Sequence, residues 1–428
     1  MNKKLLIVCD PGHCSHRIPY LANELAIRGW EVAILAPRMA DRQRNFIGMP
    51  PNSLFQEITT PEFSMIQDRF SHLGNRFQYI YRVLEYKRVQ YTKKLLKKNL
   101  SIIGFEDMPL ALVDEHSRWI NSAVKRGDQF LKSNNFGIVL SSSSPLAAHI
   151  IAREIALRYE KIWCADFRDL WALNHTRSHQ SQIALLPIEK HLLNECDGAI
   201  TVSKGFAEKL ASNYSGPIEV IHNSYGVLSP FRDNLVKNSP IEIVYTGSIY
   251  DSYQNYGLVL RTLEKFNSDE IKAKLTFVGP NVEIISRYYK KSGRDIPSFI
   301  QIKNSVDRSA AHLLQHNADL GLLLNWEDSG EKGWESTKLF EYLAAGLPII
   351  ATGGNENDAI GEILSKTNAG VCLRTEESLF EFLRSSYVNN SHGLIRKDVE
   401  SLSYNFTAQA TNLDLFLTDL LNRTTKGI

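Results

Sequence analysis

Short apolar segments alternate with longer amphipathic segments along most of this chain. The apolar segments have the length of buried strands, and the segments between them have the apolar spacing of helices. In chain order, the predicted strands are residues 4–9, 31–36, 137–140, 198–203, 218–221, 241–245, 274–278, 299–302 and 319–324. Because strands that alternate with helices form parallel βαβ units, the pattern predicts an α/β fold.

The first predicted βαβ unit carries a short loop after its first strand. The turn at residues 10–13 precedes a helix over residues 18–28, which ends at Gly29. Open parallel sheets bind ligands at the carboxyl ends of their strands, so this loop is a candidate ligand contact. Gly12 is its only glycine, which also suits a simple tight turn, and the Gly-x-Gly-x-x-Gly pattern of dinucleotide sites is absent.

The alternation breaks down between residues 40 and 135. Within this stretch, residues 76–98 contain eight lysines and arginines, one acid (Glu85) and interleaved aromatic residues. A basic helix with aromatic residues can lie on an anionic membrane surface, which would give a peripheral membrane contact. A contact with an acidic acceptor and a solvated helix packed on its own domain are equally open interpretations.

The pattern restarts after a linker at about residues 227–240, which contains Pro230 and Pro240. We therefore predict an N-terminal domain over residues 1–230, a second domain over 240–405 and a terminal amphipathic helix over 406–428. A length of 428 residues suits two domains of about 200 residues each.

Composition narrows the class of protein further. The hydrophobic content of 43% and charged content of 22% are ordinary for soluble chains, and a net charge of +2 predicts no nucleic-acid partner. No apolar run reaches the ~18 residues of a membrane span, and residues 1–9 are too short for a signal peptide. Five cysteines without a repeated spacing favour a reducing cytoplasm. We expect a cytoplasmic protein, with residues 76–98 as the candidate contact to the inner face of the membrane.

Cys9, His13, Cys14 and His16 form the densest group of potential metal ligands. They fall on a strand end and the following turn, and no second Cys/His pair at ligand spacing follows. An Asp-x-Asp motif placed after a strand is also absent. We therefore expect packed thiols here and no metal site.

The most informative segment spans residues 336–351. It predicts a helix that begins at Ser336 and Thr337, ends at Gly346 and leads through a proline into an apolar strand. Lys338 and Glu341 are three positions apart and share one helix face. The helix amides and Lys338 can hold phosphate oxygens, and Glu341 can accept hydrogen bonds from ribose hydroxyls, which suits a nucleotide diphosphate. A surface helix with a Lys338–Glu341 salt bridge is the alternative.

The run over residues 338–348 resembles the donor-site helix of the family 4 glycosyltransferases. The resemblance implies the GT-B fold, in which two Rossmann-like domains face each other across a cleft and a C-terminal helix crosses back to the first domain. It also implies a retaining, metal-independent enzyme of the hexosyltransferase type without a cofactor. Its donor would be a nucleotide sugar, for which UDP is the expected nucleotide. Its acceptor would be a glycan or lipid-linked glycan in surface polysaccharide or glycoconjugate biosynthesis.

Two segments of the N-terminal half are similar to the same family. The resemblance places Gly12, His13 and Arg17 in a first loop that faces the acceptor and the donor phosphates. Residues 163–171 contain an Arg-Asp-x-Trp motif at the end of a further predicted strand, in which Arg168 and Asp169 would orient or bind the acceptor hydroxyl or the donor. The predicted catalytic residues are therefore Asp169, Arg168 and His13. A structural Arg–Asp pair that braces the loop is the alternative.

The donor-binding residues implied by the resemblance share positions at strand ends and at the start of the 336–346 helix. They are Gly12, Arg17, Gly247, Gly279, Ser336, Thr337, Lys338 and Glu341. No metal-binding residue is predicted.

Two departures from the family pattern are visible. The first of two donor-site glutamates would stand eight positions before Glu341, where the chain has Gly333. Glu335 and Glu331 are candidate replacements, and Trp334 is a candidate for packing on the sugar. Residues 248–257 also lack the expected basic residue. Two alternative functions follow: a non-catalytic nucleotide-sugar or glycan-binding partner of an assembly complex, and a nucleotide-sugar epimerase of the same fold.

Overall fold

The computed structural model describes residues 2–14, 16–39, 44, 49–50, 52–60, 117–232, 234–235, 240–327 and 331–426. The side chains of residues 13, 14, 117, 118, 184 and 424–426 are outside this description. The basic segment over residues 76–98 also lies outside it, so its proposed membrane contact stays a prediction. No helix among the described residues is both long and apolar enough to cross a membrane.

Two compact units divide the chain. The first comprises Met1–Thr201, Lys209–Glu219 and Leu413–Ile428, and the second comprises Val202–Glu208 and Val220–Asn412.

The first unit is built on a parallel sheet of seven strands in the order β3-β2-β1-β4-β5-β6-β7. The strands are β1 (Lys4–Val8), β2 (Glu31–Pro37), β3 (Gln56–Thr60), β4 (Ile138–Ser143), β5 (Ile162–Phe167), β6 (Gly198–Thr201) and β7 (Ile218–Val220). The helices are α1 (Pro11–Cys14), α2 (Arg17–Ile27), α3 (Ser117–Leu131), α4 (Ala147–Tyr159) and α5 (His179–Glu195). The next helix, α6 (Lys204–Ala211), belongs to the second unit up to Glu208 and to the first unit from Lys209 onward. The chain reverses its direction of winding between β1 and β4, where Leu5 pairs with both Val32 and Ile138.

The second unit repeats this winding in a parallel sheet of six strands, in the order β10-β9-β8-β11-β12-β13. The strands are β8 (Ile241–Thr246), β9 (Ala273–Val278), β10 (Ile300–Lys303), β11 (Leu320–Leu324), β12 (Ile349–Thr352) and β13 (Gly370–Cys372). The helices are α7 (Tyr256–Phe266), α8 (Glu283–Lys291), α9 (Arg308–Asn317), α10 (Thr337–Ala344), α11 (Ala359–Thr367), α12 (Glu376–Asn389) and α13 (Asp398–Leu402). The winding reverses between β8 and β11, which makes the carboxyl ends of these two strands the expected ligand-binding edge.

The helix α10 lies beside that edge because its sequence is amphipathic. It buries Leu339, Phe340, Tyr342 and Leu343 in the core of the second unit. Lys338 and Glu341 remain half-buried on the other side. The helix ends as predicted at Gly346, whose φ of +67° lies in the left-handed region.

The last helix, α14 (Phe406–Lys426), contributes its residues from Leu413 onward to the first unit. There it packs on the start of β6. A Cβ on Gly198 would lie 2.9 Å from Leu420 Cδ1 and 3.0 Å from Phe416 Cζ. A side chain at position 198 would therefore push the helix away from the sheet.

The serines over residues 141–144 do not cap the helix that follows them. Ser141, Ser142 and Ser143 belong to β4, and the N-cap residue of α4 is Leu146, which makes no capping side-chain bond. The strand continues through these serines, which places them before the helix start. Ser203, by contrast, caps the start of α6, since its Oγ accepts a hydrogen bond from the Phe206 amide at 3.2 Å.

Candidate functional site

Two glycines bring the ends of β8 and β9 into direct backbone contact. Gly247 has a φ of +121° and donates its N–H to the Val278 carbonyl at 2.7 Å. Gly279 has a φ of +147°, and a Cβ there would lie 2.5 Å from the Gly247 carbonyl oxygen. Only glycine fits both positions, so the strand ends present bare backbone at the ligand-binding edge.

Lys338 lies directly against this backbone. A Cβ on Gly247 would be 2.4 Å from Lys338 Cε, and Lys338 Nζ lies 5.3 Å from the centre of the Tyr245 ring. Desolvation by burial lowers the pKa of Lys338 to about 8, and the carboxylate of Glu341 only partly opposes this shift. Among the described residues, no acceptor or acid lies within bonding distance of Lys338 Nζ. A desolvated cation without an anionic partner is suited to bind an anionic ligand.

Glu341 is held by two side chains of α9. Arg308 Nη2 lies 3.3 Å from Glu341 Oε1, and Gln315 Nε2 donates to Glu341 Oε2 at 3.2 Å. Gln315 is fully buried and also donates to Thr246 Oγ1 at 2.9 Å. Glu341 is thus paired with Arg308, and the described residues show no salt bridge between Glu341 and Lys338. The alternative interpretation of α10 as a helix braced by that salt bridge is therefore wrong.

Arg308 and Gln315 were missed in the sequence because the search for a basic residue followed Gly247 along the chain. Arg308 instead begins the helix that follows β10, and helices that follow parallel strands begin at the carboxyl edge of the sheet. Asp307 fixes that start, since its carboxylate accepts a hydrogen bond from the Ala310 amide at 2.8 Å. The sequence did hold a signal for Arg308, because Arg308 is the first helical residue after a predicted strand.

The start of α10 differs in one respect from the prediction. Ser336 occupies the N-cap position and is buried, but its side chain makes no capping bond, and Thr337 is exposed. A capping hydroxyl normally accepts from the amides of the first turn. Ser336 therefore leaves the first-turn amides without a capping side chain, and its carbonyl accepts from the Leu339 amide at 3.1 Å.

Gly333 is fixed by contacts with the segment around Ser203. A Cβ at position 333 would lie 2.7 Å from the Phe206 backbone nitrogen and 2.3 Å from its ring. The Gly333 carbonyl accepts from Ser203 Oγ at 2.5 Å. The family's first donor-site glutamate therefore cannot be accommodated at this position.

Glu335 and Glu331, the candidate replacements for the missing donor-site glutamate, hold their own loop together. The side chain of Glu335 is fully buried, with Oε1 2.6 Å from His222 Nδ1 and Oε2 accepting from the Asn223 amide at 3.3 Å. Glu331 is buried and accepts from the Gly333 amide at 2.9 Å. Both carboxylates have local structural partners, which accounts for their conformation without a ligand.

In the first unit, Arg17 is buried at 2% exposure and forms an ion pair with Asp166 at 2.6 Å. Ser142 Oγ donates to the same carboxylate oxygen at 2.6 Å. Gly12 is exposed, and its amide donates to Asp10 Oδ1 at 2.9 Å. The His13 side chain lies outside the described residues. The donor or catalytic roles of Gly12, His13 and Arg17 stay predictions.

Arg168 and Asp169 form a pair at 2.9 Å, in which the Asp169 side chain is 40% exposed. The loop that carries them is held by Glu189, whose Oε2 accepts from the amides of Trp171 at 3.0 Å and Ala172 at 2.7 Å. Burial raises the pKa of Glu189. The geometry fits an Arg168 that orients an accessible Asp169, and their part in catalysis stays a prediction.

The sequence predicts no metal site. No group of three or more His, Cys, Asp or Glu side chains that could hold a metal ion occurs in the described part of the chain. The four cysteines described, Cys9, Cys164, Cys196 and Cys372, carry free thiols.

Comparison with known proteins gives a fold assignment. No protein-family model and no curated protein sequence matches the chain. Among solved structures, the apo form of the lipopolysaccharide outer core galactosyltransferase WaaB is similar over 97% of this chain and 99% of its own, with 11% identity and a TM-score of 0.56. Anabaena Alr3699/HepE in complex with UDP is similar over 97% of this chain and 100% of its own, with 11% identity and a TM-score of 0.57. S. aureus MnaA with UDP is similar over 98% and 97%, with 10% identity and a TM-score of 0.52. At such identities the likeness establishes the fold, so the predicted GT-B fold, with two parallel-sheet α/β domains, is confirmed.

Proposed function

We propose that this protein is a retaining glycosyltransferase that moves a hexose from a UDP-sugar to a glycan or lipid-linked glycan acceptor. The observation that carries the proposal is Lys338, a desolvated cation at the ligand-binding edge with no anionic partner among the described residues. Support comes from fold neighbours that are a galactosyltransferase, WaaB, and UDP complexes of HepE and MnaA.

Each group of the site has a defined task in this proposal. Lys338 and the first amides of α10 bind the diphosphate, next to the bare backbone at Gly247. Glu341 accepts hydrogen bonds from the ribose hydroxyls, and Arg308 and Gln315 hold its carboxylate in place. The backbone at Gly279 contacts the edge of the base.

The leaving group in such a transfer is the nucleoside diphosphate, on which negative charge develops. Lys338 and the N-terminus of α10 stabilise that charge, so no metal ion or other cofactor is required. Retention follows when a donor phosphate oxygen helps to deprotonate the acceptor hydroxyl. In the first unit, Asp169, oriented by Arg168, is the proposed acceptor contact. A cytoplasmic location, with peripheral membrane contact through residues 76–98, suits a lipid-linked acceptor.

Calorimetric titration of the full chain with UDP, GDP, ADP and CMP tests the proposal. We expect selective binding of UDP, and we expect incubation with UDP-sugar and an acceptor to give a product that keeps the anomeric configuration of the donor. Binding of none of the four nucleotides would refute the proposal. Conversion of UDP-sugar to its epimer without an acceptor would favour the epimerase instead.

A further inference from the structure

An aromatic cluster lies on the loops that follow β8 and β11, where the winding of the second unit reverses. Trp326 is its centre, with ring centroids 5.4 Å from Tyr250, 5.0 Å from Tyr253 and 5.0 Å from Trp334. Tyr250 stands three residues after Gly247, and Trp334 stands four residues before Lys338. The cluster is therefore linked by short segments on both sides to the proposed diphosphate site.

Two of the three rings that surround Trp326 are open to solvent. Trp326 is 4% exposed, whereas Tyr250 is 46% and Tyr253 is 37% exposed, and Trp334 is half-buried. Aromatic residues that only fill a core are hidden from water, and exposed aromatic rings fixed on a buried one are typical of binding surfaces. We refer to Tyr250, Tyr253 and Trp334 as the aromatic platform.

Buried hydrogen bonds fix the loop that carries two of these rings. Gln254 is 3% exposed; its Nε2 donates to the Leu324 carbonyl at 2.7 Å, and its Oε1 accepts from the Tyr250 amide at 2.9 Å. The Glu327 amide donates to the Tyr253 carbonyl at 3.0 Å. The loops after β8 and β11 are thereby joined, so the aromatic platform is preorganised before any ligand binds.

Two carboxylates stand next to the rings in the sequence, Asp251 after Tyr250 and Glu327 after Trp326. Glu327 accepts from Asn255 Nδ2 at 2.6 Å, and Asp251 accepts from the Tyr256 hydroxyl at 2.6 Å, which leaves further lone pairs on both carboxylates. Residues 248–255 and 325–327 contain no lysine or arginine. Asp251 also lines a cavity with Arg287 and Lys291, and Lys332 stands two residues before Trp334, so the acidic side of the platform is the one at Glu327. Beside Glu327, a neutral ligand with many hydroxyls is favoured over an acidic sugar.

We propose that the aromatic platform binds the pyranose ring of the donor, stacked through its C–H face on Tyr250 and Tyr253, and that it selects a neutral hexose. This inference rests on the proposed function, because the platform serves the sugar of the same nucleotide whose diphosphate Lys338 binds. Glu327 would accept hydrogen bonds from the sugar hydroxyls and would repel a carboxylated ring.

The test compares UDP with UDP-glucose on the full chain, by calorimetry, for wild type, Tyr253→Ala and Tyr253→Phe. Because Tyr253 is exposed, both variants are expected to fold, which thermal unfolding checks. We expect Tyr253→Ala to weaken UDP-glucose binding by about three- to tenfold and to leave UDP binding unchanged. Tyr253→Phe keeps the ring and should retain wild-type affinity for both ligands. Wild type should bind UDP-glucuronate more weakly than UDP-glucose.

Each contrary result has a distinct meaning. If Tyr253→Ala, together with the double variant Tyr250→Ala/Tyr253→Ala, binds UDP-glucose as wild type does, the platform is not a sugar subsite. If UDP and UDP-glucose lose affinity equally, the rings contact the nucleotide and the sugar assignment is wrong. Equal affinity for UDP-glucuronate and UDP-glucose would overturn the selection for a neutral hexose. If wild type binds UDP in none of these titrations, the proposed function itself fails, and the donor-sugar platform fails with it.

Discussion

Lys338 makes nucleotide binding depend on pH in a range where few other groups titrate. Burial lowers its pKa to about 8 in the free protein, so the side chain loses its charge between pH 7 and pH 9. A bound diphosphate favours the charged form and would raise this pKa. UDP should therefore bind best below pH 8, with uptake of a proton on binding near that pH.

The expected change in affinity for UDP follows from the pKa of Lys338 and from the strength of one charge-assisted hydrogen bond. A group with a pKa of about 8 is roughly nine-tenths charged at pH 7 and roughly one-tenth charged at pH 9. The affinity for UDP should then fall about tenfold over this interval. Replacing Lys338 by Met should remove about 1.5–3 kcal/mol at pH 7, which corresponds to a loss of about ten- to 150-fold.

Calorimetric titration with UDP at pH 7, 8 and 9 measures both effects, with Lys338→Met as the matched control. The variant cannot titrate at this position, so it should bind weakly and with a flatter pH profile. Any titration of UDP itself affects both proteins and cancels in the comparison. Equal wild-type affinity at pH 7 and pH 9, or the same pH dependence in Lys338→Met, would refute the assignment of Lys338 to the diphosphate.

Three further predictions concern residues of the second unit. The free Lys338→Met protein should be more stable than wild type by up to about 3 kcal/mol at pH 7, because a lysine pKa lowered from 10.5 to about 8 means that the charged form destabilises the native state below pH 8. This advantage should shrink as the pH rises from about 8 to 10.5, and thermal unfolding at several pH values checks it; equal melting temperatures at pH 7 would contradict it. Glu341→Ala should bind UDP and 2′-deoxy-UDP equally, whereas wild type should prefer UDP by about ten- to 150-fold, since one hydrogen bond to a charged group is worth about 1.5–3 kcal/mol; intact discrimination in the variant would show that Glu341 does not contact the ribose. Gly333→Glu should lower the unfolding free energy by more than about 3 kcal/mol and should not improve UDP binding, because the new Cβ would lie 2.7 Å from the Phe206 backbone nitrogen; a stable variant with tighter binding would refute the packing argument.

The sequence was sufficient for most of the strands and for the fold class. Strands in the middle of the sheets are short apolar runs, because parallel strands are buried on both faces. The two strands that were missed, Gln56–Thr60 and Gly370–Cys372, are edge strands of their sheets. The first is largely polar and the second is very short, so neither has the apolar pattern of a central strand.

The sequence by itself also determined the local parts of the site. The positions of Lys338 and Glu341 on one helix face, and the end of that helix at Gly346, depend on neighbours within a few residues. Contacts between distant segments were decided only by the tertiary structure. The pairing of Glu341 with Arg308, the close approach of Phe206 to Gly333 and the grouping of Tyr253 with Trp326 each join separate elements. Such contacts depend on how the strands are ordered in the sheet, which fixes the loops that meet at its carboxyl edge.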